Sequence, residues 1–380
     1  MSFQSLGISA SISKAINDLG IAAAFPIQTA TIPAILTGKD VMGVAKTGSG
    51  KTLCFVAPLL QKLQDQPYDK HRAIKALVLV PTRELAIQIE KSYQDLQGAL
   101  LRPVKCLAVY GGVSINPQMQ GAFGAEVLIA TPGRLLDLIN QNALSINELE
   151  YLVIDEADKM FHLGFEEEMN RILELVPTEK QTIIFSATLN DKIGQIKTIL
   201  GISPLVFEVK AEVDEVLAIE QVAYRIKAED KGPFLRYLIK KEHISPVLIF
   251  VSSTRTADNL VLKLKKNGIK ALAVHGKKAQ ESRIDNLEGF KVGGTKVLIA
   301  TDLISRGIHI EGLPYVINYE LPRSPLDYVH RIGRTGRANE HGMAITLLTA
   351  DDEHHFNIIQ KKMGRQVDIL ETDSIDLKGV

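Results

Sequence analysis

Two cysteines among 380 residues are too few for a disulfide scaffold or a thiolate metal site. Cys54 and Cys106 each sit in an apolar stretch, outside any metal-ligand spacing, and read as small core fillers. Net charge is also missing, since 44 basic and 44 acidic side chains cancel. That balance argues against a protein that holds nucleic acid by bulk attraction. The first 208 residues carry three more acids than bases, and the remainder reverses the excess, too small a difference to indicate a partner. No apolar run reaches the roughly 18 residues a membrane-spanning helix needs. The start, Met1-Ser2-Phe3-Gln4-Ser5, has neither the basic nor the apolar region of a secretory signal. A cytoplasmic protein without membrane contact is expected.

Short apolar, β-branched runs are plentiful. They include Ala76-Leu77-Val78-Leu79-Val80, Val127-Leu128-Ile129-Ala130, Tyr151-Leu152-Val153-Ile154 and Thr182-Ile183-Ile184-Phe185. Later come Val247-Leu248-Ile249-Phe250-Val251, Val297-Leu298-Ile299-Ala300 and Tyr315-Val316-Ile317-Asn318-Tyr319. Helical patterns separate them, so the runs read as parallel strands buried on both faces, and the class is α/β. The length exceeds what one hydrophobic core usually supports, which predicts two domains. The halves echo each other: Val127 to Thr131 reappears as Val297 to Thr301, Thr82-Arg83 as Thr254-Arg255, and Gly111 as Gly276. Three matches at nearly one spacing predict two copies of a similar sheet. The join is expected in the polar stretch from Val209 to Glu215.

Ala45-Lys46-Thr47-Gly48-Ser49-Gly50-Lys51-Thr52 follows a strand-like run and precedes a helical pattern, as a P-loop does, although Ala45 stands where the strict pattern has Gly. Gly48 and Gly50 let backbone N–H groups turn inward around a phosphate, and the next helix adds its positive end. Lys51 is expected to reach the β- and γ-phosphates of ATP, and the Thr52 hydroxyl to hold Mg2+. Asp155, at the tip of a strand, is placed for the second Mg2+ contact, and Glu156 to orient or deprotonate the attacking water. Only the first half carries a P-loop, so one ATP per chain is expected.

Residues 155–158 spell Asp-Glu-Ala-Asp, and the chain resembles a DEAD-box ATP-dependent RNA helicase of the superfamily 2 core from about Phe3 to about Thr349. The resemblance implies two tandem RecA-like domains, each a mostly parallel sheet flanked by helices, with ATP and RNA between them. It implies that Gln28, in Phe25-Pro26-Ile27-Gln28, reads adenine, that Phe3 packs on the base, and that Thr47 and His309 also contact ATP. Pro81, Thr82, Arg83, Gly112, Thr131, Gly133 and Arg134 fall in motifs facing the RNA backbone, as do Thr254, Gly276, Arg283 and Thr301 of the second half. Asp158, Ser186, Thr188 and His330 fall in motifs that couple hydrolysis to unwinding. Arg334 and Arg337, in His330-Arg331-Ile332-Gly333-Arg334-Thr335-Gly336-Arg337, resemble arginine fingers; three apart, they would share one side of a helical turn. The chain departs from the family at Ile21, Ala24, Lys46, His162 and His309, the last two standing where Asp is common.

The expected boundaries are 1–208 for an ATP-binding domain, 209–218 for a linker, 219–365 for a helicase domain and 366–380 for a short acidic tail. The expected activity is RNA-stimulated ATP hydrolysis coupled to local duplex unwinding or RNA–protein remodelling. The alternative is an ATP-gated RNA clamp with slow hydrolysis. A related DNA helicase is disfavoured by the DEAD, Ser186-Ala187-Thr188 and His330 to Arg337 strings. A monomer is expected, with RNA held by its backbone and with protein cofactors that the sequence does not name. No segment resembling an RRM, KH or zinc-knuckle module is visible to select a particular RNA.

Overall fold

Each continuous apolar run becomes a strand because both of its faces are covered. In the computed structural model, which describes residues 1–45, 48–66, 73–189, 191–209, 219–302, 312–336, 342–377 and 379, the chain divides into two compact units, Met1–Ala211 and Glu212–Val380. The first unit contains β1 (Val41–Val44), β2 (Ala76–Leu79), β3 (Cys106–Val109), β4 (Val127–Ala130), β5 (Tyr151–Ile154), β6 (Gln181–Ser186) and β7 (Leu205–Glu208). They lie in the order β3-β4-β2-β5-β6-β1-β7, all parallel. Alternate residues serve opposite cores: Val41, Val78, Ile129, Val153 and Ile183 on one face, Met42, Leu77, Leu128, Ile154 and Ile184 on the other. Full burial of one such side chain contributes about 1.5–3 kcal/mol, so a run buried on both faces has no polar position to spare.

The helices of this unit are α1 (Ala10–Asp18), α2 (Pro26–Leu36), α3 (Lys51–Gln64), α4 (Arg83–Leu96), α5 (Asn116–Ala122), α6 (Pro132–Asn140), α7 (Ala157–His162), α8 (Glu166–Leu175) and α9 (Asp191–Leu200). Their starts are written in the sequence. Pro26 and Pro132 occupy first positions, where the missing N–H costs nothing, and the Thr82 hydroxyl accepts from Leu85 N at 3.3 Å to cap α4. Cys54 is buried in α3, where burial pushes its thiol up to about 12, and both cysteines are free, as core fillers would be.

The open edge of β3 is closed by side chains. Gln97 exchanges two hydrogen bonds with the backbone of Val104, and Glu90 Oε1 accepts from Ala108 N at 2.8 Å. Gln118 accepts from Tyr110 N at 3.0 Å and donates to Tyr110 O at 3.1 Å. These are alternate residues, the ones facing away from β4.

The second unit contains β8 (Glu220–Arg225), β9 (Val247–Val251), β10 (Leu272–Val274), β11 (Val297–Thr301), β12 (Tyr315–Asn318), β13 (Met343–Leu348) and β14 (Asp368–Glu371). Its helices within the described residues are α10 (Lys231–Lys240), α11 (Thr254–Lys266), α12 (Gln280–Lys291), α13 (Pro325–Ile332) and α14 (Glu353–Met363). The sheet order is β10-β11-β9-β12-β13-β8-β14, that of the first unit with every strand advanced by seven. The sequence echoes thus link β4 to β11, and the loops after β2 and β3 to those after β9 and β10.

One boundary needs correction. Residues 366–380, expected as a tail, supply β14, which pairs in parallel with β8. Ile369 is partly buried against Leu321, Tyr328, Phe356 and Val367, and Arg225 binds both Glu353 and Glu371. The acidic composition masked an edge strand whose outer positions are wet.

Candidate nucleotide and RNA site

In a parallel sheet the loops beyond the carboxyl ends of the strands share one rim, where open α/β sheets bind ligands. Beyond β1, Gly48 and Gly50 take left-handed φ angles of 81° and 80°. A Cβ on Gly50 would fall 2.5 Å from Gln28 Nε2 and 2.8 Å from the Phe25 ring, so only glycine fits. Lys51 opens α3 and donates from Nζ to Ala45 O at 2.8 Å, spanning the loop with a buried ammonium. Thr52 follows in the same turn. Gln28 is fully buried; it donates to Gly50 O at 2.8 Å and accepts from Phe25 N at 2.8 Å.

Beyond β5, Asp155 Oδ1 accepts from Glu156 N at 2.8 Å. Burial pushes the Asp155 carboxyl up to about 6, against the pull of Lys51 and with a further push from Glu156. Glu156 has φ 51°, a left-handed conformation that costs a non-glycine residue about 1–3 kcal/mol. Its Oε1 is bound by Lys159 Nζ, whereas its buried Oε2 has no hydrogen-bond partner among the described residues. Asp158 reaches the loop beyond β6, accepting from Thr188 Oγ1 and from Ala187 N, each at a long 3.4 Å. Ser186 Oγ donates to Thr188 O at 2.7 Å and accepts from Thr188 N at 3.2 Å. The DEAD and Ser-Ala-Thr loops are therefore joined directly.

The loops beyond β2, β3 and β4 are joined as well. Pro81 and Thr82 lead into α4, and the Arg83 guanidinium lies 2.1–2.2 Å from where a Cβ of Gly112 would stand. Gly112 has φ 79°, so the close approach and the backbone both require glycine there. Thr131 is the N-cap of α6, and Gly133 and Arg134 lie in its first turn. Arg134 Nη2 donates to Val113 O at 2.9 Å, tying this loop to the one carrying Gly112.

In the second unit, Thr254 opens α11, Gly276 is exposed just beyond β10, and Thr301 ends β11. Arg283 lies in α12 and donates to Gln280 Oε1 at 2.9 Å. His275, beside Gly276, and Lys278 both bind Asp258, at 3.1 Å and 2.8 Å. His330 lies in the last turn of α13. The best-held residue is one that was only part of a motif string. Arg331, 1% exposed, forks onto Asp302 at 2.5 and 2.8 Å, donates to Asn318 Oδ1 and Glu320 O, and lies over the Phe250 ring.

The Phe3 ring is 2% exposed, packed inside the core of the first unit. Phe25, half exposed and against Gly50, is the aromatic that the glycine-rich loop presents, and the sequence offered it as the residue before Pro26. α13 ends at Ile332, and Arg334 is buried in the turn after Gly333. Thr47, His309 and Arg337, with Lys46, lie outside the described residues, and nothing is described of the His162 side chain. Lys159 was missed although its place three residues after Glu156 on a helix puts the two on one side.

A family model described as DEAD/DEAH box helicase matches residues 25–196, and one described as helicase conserved C-terminal domain matches 230–339. The ATP-dependent RNA helicase CshA of Listeria monocytogenes is 38% identical over 375 residues, 98% of this chain and 71% of that protein. This chain belongs to the DEAD-box family of ATP-dependent RNA helicases. The CshA helicase of Bacillus subtilis is 37% identical over 378 residues, 99% of this chain and 75% of that protein. Among solved structures, S. cerevisiae Dbp5 bound to RNA and ADP BeF3 matches with a TM-score of 0.84 and 29% identity, covering 98% of this chain and 96% of that one. The DEAD-box chain is accordingly an ATP hydrolase and helicase with two RecA-like sheets. Its similarity to helicases disfavours the slow clamp. Among the described residues no helix is long and apolar enough to cross a membrane.

Proposed function

We propose that this DEAD-box helicase holds ATP beyond β1, β5 and β6 and an RNA backbone beyond β3, β4 and β2, so that RNA-stimulated hydrolysis drives local duplex unwinding or RNA–protein remodelling. In this proposal 1–208 and 219–365 are the working domains around the linker 209–218, with β14 as an addition to the second. The enzyme acts as a cytoplasmic monomer, with protein cofactors as further partners. The observation that carries the assignment is the order of loops along one rim: Gly112, then Thr131 to Arg134, Pro81 to Arg83, Asp155 to Asp158, Ser186 to Thr188, and Gly48 to Thr52. The phosphate end and the backbone-binding end meet at the DEAD loop, which contacts Thr188.

Gln28 keeps one amide proton and one lone pair beyond its two bonds, enough to read an adenine edge, with Phe25 packing on the ring. The N–H groups of Gly48, Ser49 and Gly50 and the start of α3 hold phosphate oxygens. Lys51 exchanges the Ala45 carbonyl for the β- and γ-phosphates. Thr52 and Asp155 offer the hard oxygen donors that suit Mg2+, and a cation would relieve the burial that raises Asp155. Bound Mg2+ supplies neutralisation of phosphate charge. Glu156 accepts the proton of the attacking water as the water oxygen bonds to the γ-phosphorus. The bond to ADP breaks, its electron pair leaves with ADP, and the proton passes on to solvent. Arg334 and Arg337 are the candidate arginine fingers, and His330, Asp158, Ser186 and Thr188 are the candidates for coupling hydrolysis to unwinding.

Steady-state ATPase assays test this. Glu156→Gln should bind ATP normally and lose about 10²–10⁴ in kcat, the usual share of a general base. Single-stranded RNA should stimulate the parent far more than DNA of the same sequence if Thr82, Arg83, Thr131 and Arg134 read backbone and 2′-hydroxyls. A Glu156→Gln variant that turns over like the parent would refute the catalytic assignment. Equal stimulation by RNA and DNA would refute the RNA contacts.

A further inference from the structure

Glu156 and Lys159 form an ion pair in which each side chain is only 6% exposed, at the start of the six-residue α7. Such a pair is a poor stabilising device, because desolvating two charges offsets most of their attraction and an apolar pair of similar volume would do as well. The left-handed φ of Glu156 directs its Cβ, and the i,i+3 spacing puts Lys159 on the same side of the turn. The two carboxylate oxygens are then unequal. Oε1 is held by Lys159, while Oε2 is buried with no hydrogen-bond partner among the described residues. A buried polar atom in that condition needs a partner that arrives with function.

We infer that Lys159 is a positioning residue for hydrolysis: it fixes the Glu156 carboxylate through Oε1 so that Oε2 alone faces the attacking water and receives its proton. The inference rests on Glu156 being the base, as proposed above. Lys159 acts through Glu156. Its ammonium also prevents the carboxylate from turning toward Asp155, which is buried beside it and also carries the negative charge that Lys51 counters.

The test uses the full chain with saturating RNA. Lys159→Met, which keeps length and removes charge, should lower kcat about tenfold or more, since small misplacements of a catalytic group are costly. The KM for ATP should hold within about threefold, because the loss falls on the transition state and not on binding. Lys159→Arg should restore most of the rate. Binding of a fluorescent ATP analogue and the thermal midpoint report whether each variant is folded. The decisive arm is a double variant under single turnover: once Glu156 is Gln, adding Lys159→Met should cost nothing further. The inference is overturned if Lys159→Met turns over within about twofold of the parent or faster, or if its loss persists unchanged in the Glu156→Gln background. Should Lys159→Met fail to fold, Lys159→Arg decides alone: retained kcat supports positioning, and loss at normal ATP binding overturns it. A Glu156→Gln variant with the parent's rate would instead defeat the base assignment, which separates the two failures.

Discussion

Replacing Arg331 with Met should weaken the second unit by about 3 kcal/mol. The guanidinium is 1% exposed and fills its donors on three neighbours: Asp302 beyond β11, Asn318 at the end of β12 and the Glu320 carbonyl. It also lies 5.0 Å from the centroid of the Phe250 ring in β9. Methionine can keep the ring contact but satisfies none of the acceptors. Breaking a buried pair by removing one partner costs about 3–5 kcal/mol, because the other charge is left uncompensated. Asp302 is 25% exposed and recovers part of its hydration, which places the loss at the lower end of that range. Native-state hydrogen exchange at Ile317, Asn318 and Phe250 reads it as a lower opening free energy in β9 and β12. Asp302→Asn should lose less, and the double variant should fall short of the summed losses by at least about 1 kcal/mol, the signature of coupled neighbours. Because Arg331 sits one residue after His330 and three before Arg334, ATPase should fall together with protection. Opening energies within about 0.5 kcal/mol of the parent would mean that the buried fork contributes nothing, contrary to the mechanism.

Phe25→Ala should weaken ATP binding several-fold, in line with the roughly 0.5–1.5 kcal/mol of an aromatic contact, while Phe3→Leu should leave it nearly unchanged; fluorescence titration separates the two. Asp155 yields a pH prediction. Burial holds its folded carboxyl at about 6, above the ordinary 3.8, so the folded chain binds this proton more tightly than the unfolded one. Its contribution to stability is therefore favourable below 3.8, fades as pH rises to about 6, and leaves a penalty above that. Asp155→Asn should stabilise the nucleotide-free chain at pH 7.5 by on the order of 1–3 kcal/mol, read as a higher melting temperature, and abolish hydrolysis. A lower melting temperature at that pH would contradict the burial cause. In the parent, the KM for Mg2+-ATP should climb as pH falls through about 6, because the ligand must be a carboxylate.

The central strands were legible because burial on both faces leaves an uninterrupted apolar run; β4, β5 and β9 begin and end where their runs do. Strands at the outer edges were not. In β7 Leu205 and Val206 are about half exposed, and β14 is only Ile369 and Leu370 between two acids, so neither shows a pattern distinct from a loop. The phosphate loop was readable because close backbone approach admits only glycine at position 50. Side-chain environments were harder. Phe3 and Phe25 differ in burial, which no local spacing records. The glycines at 333 and 336 marked a motif, and α13 ends just before the first of them, at Ile332. The pairing of Lys159 with Glu156 was open to a reader who applied helix spacing to the DEAD string itself.

The side chains closing the edge of β3 have a consequence for variation in this chain. Glu90, Gln97 and Gln118 lie on α4, just past its end and on α5, remote in sequence from every motif residue that acts on ATP. Exchanging them for apolar residues would leave the hydrolytic loops intact but uncover a row of N–H and C=O groups able to recruit a strand from another molecule. Such changes would surface as loss of soluble protein at unchanged activity per molecule, so these three amide and carboxyl groups constrain the concentration at which the enzyme can exist and not the rate at which it works.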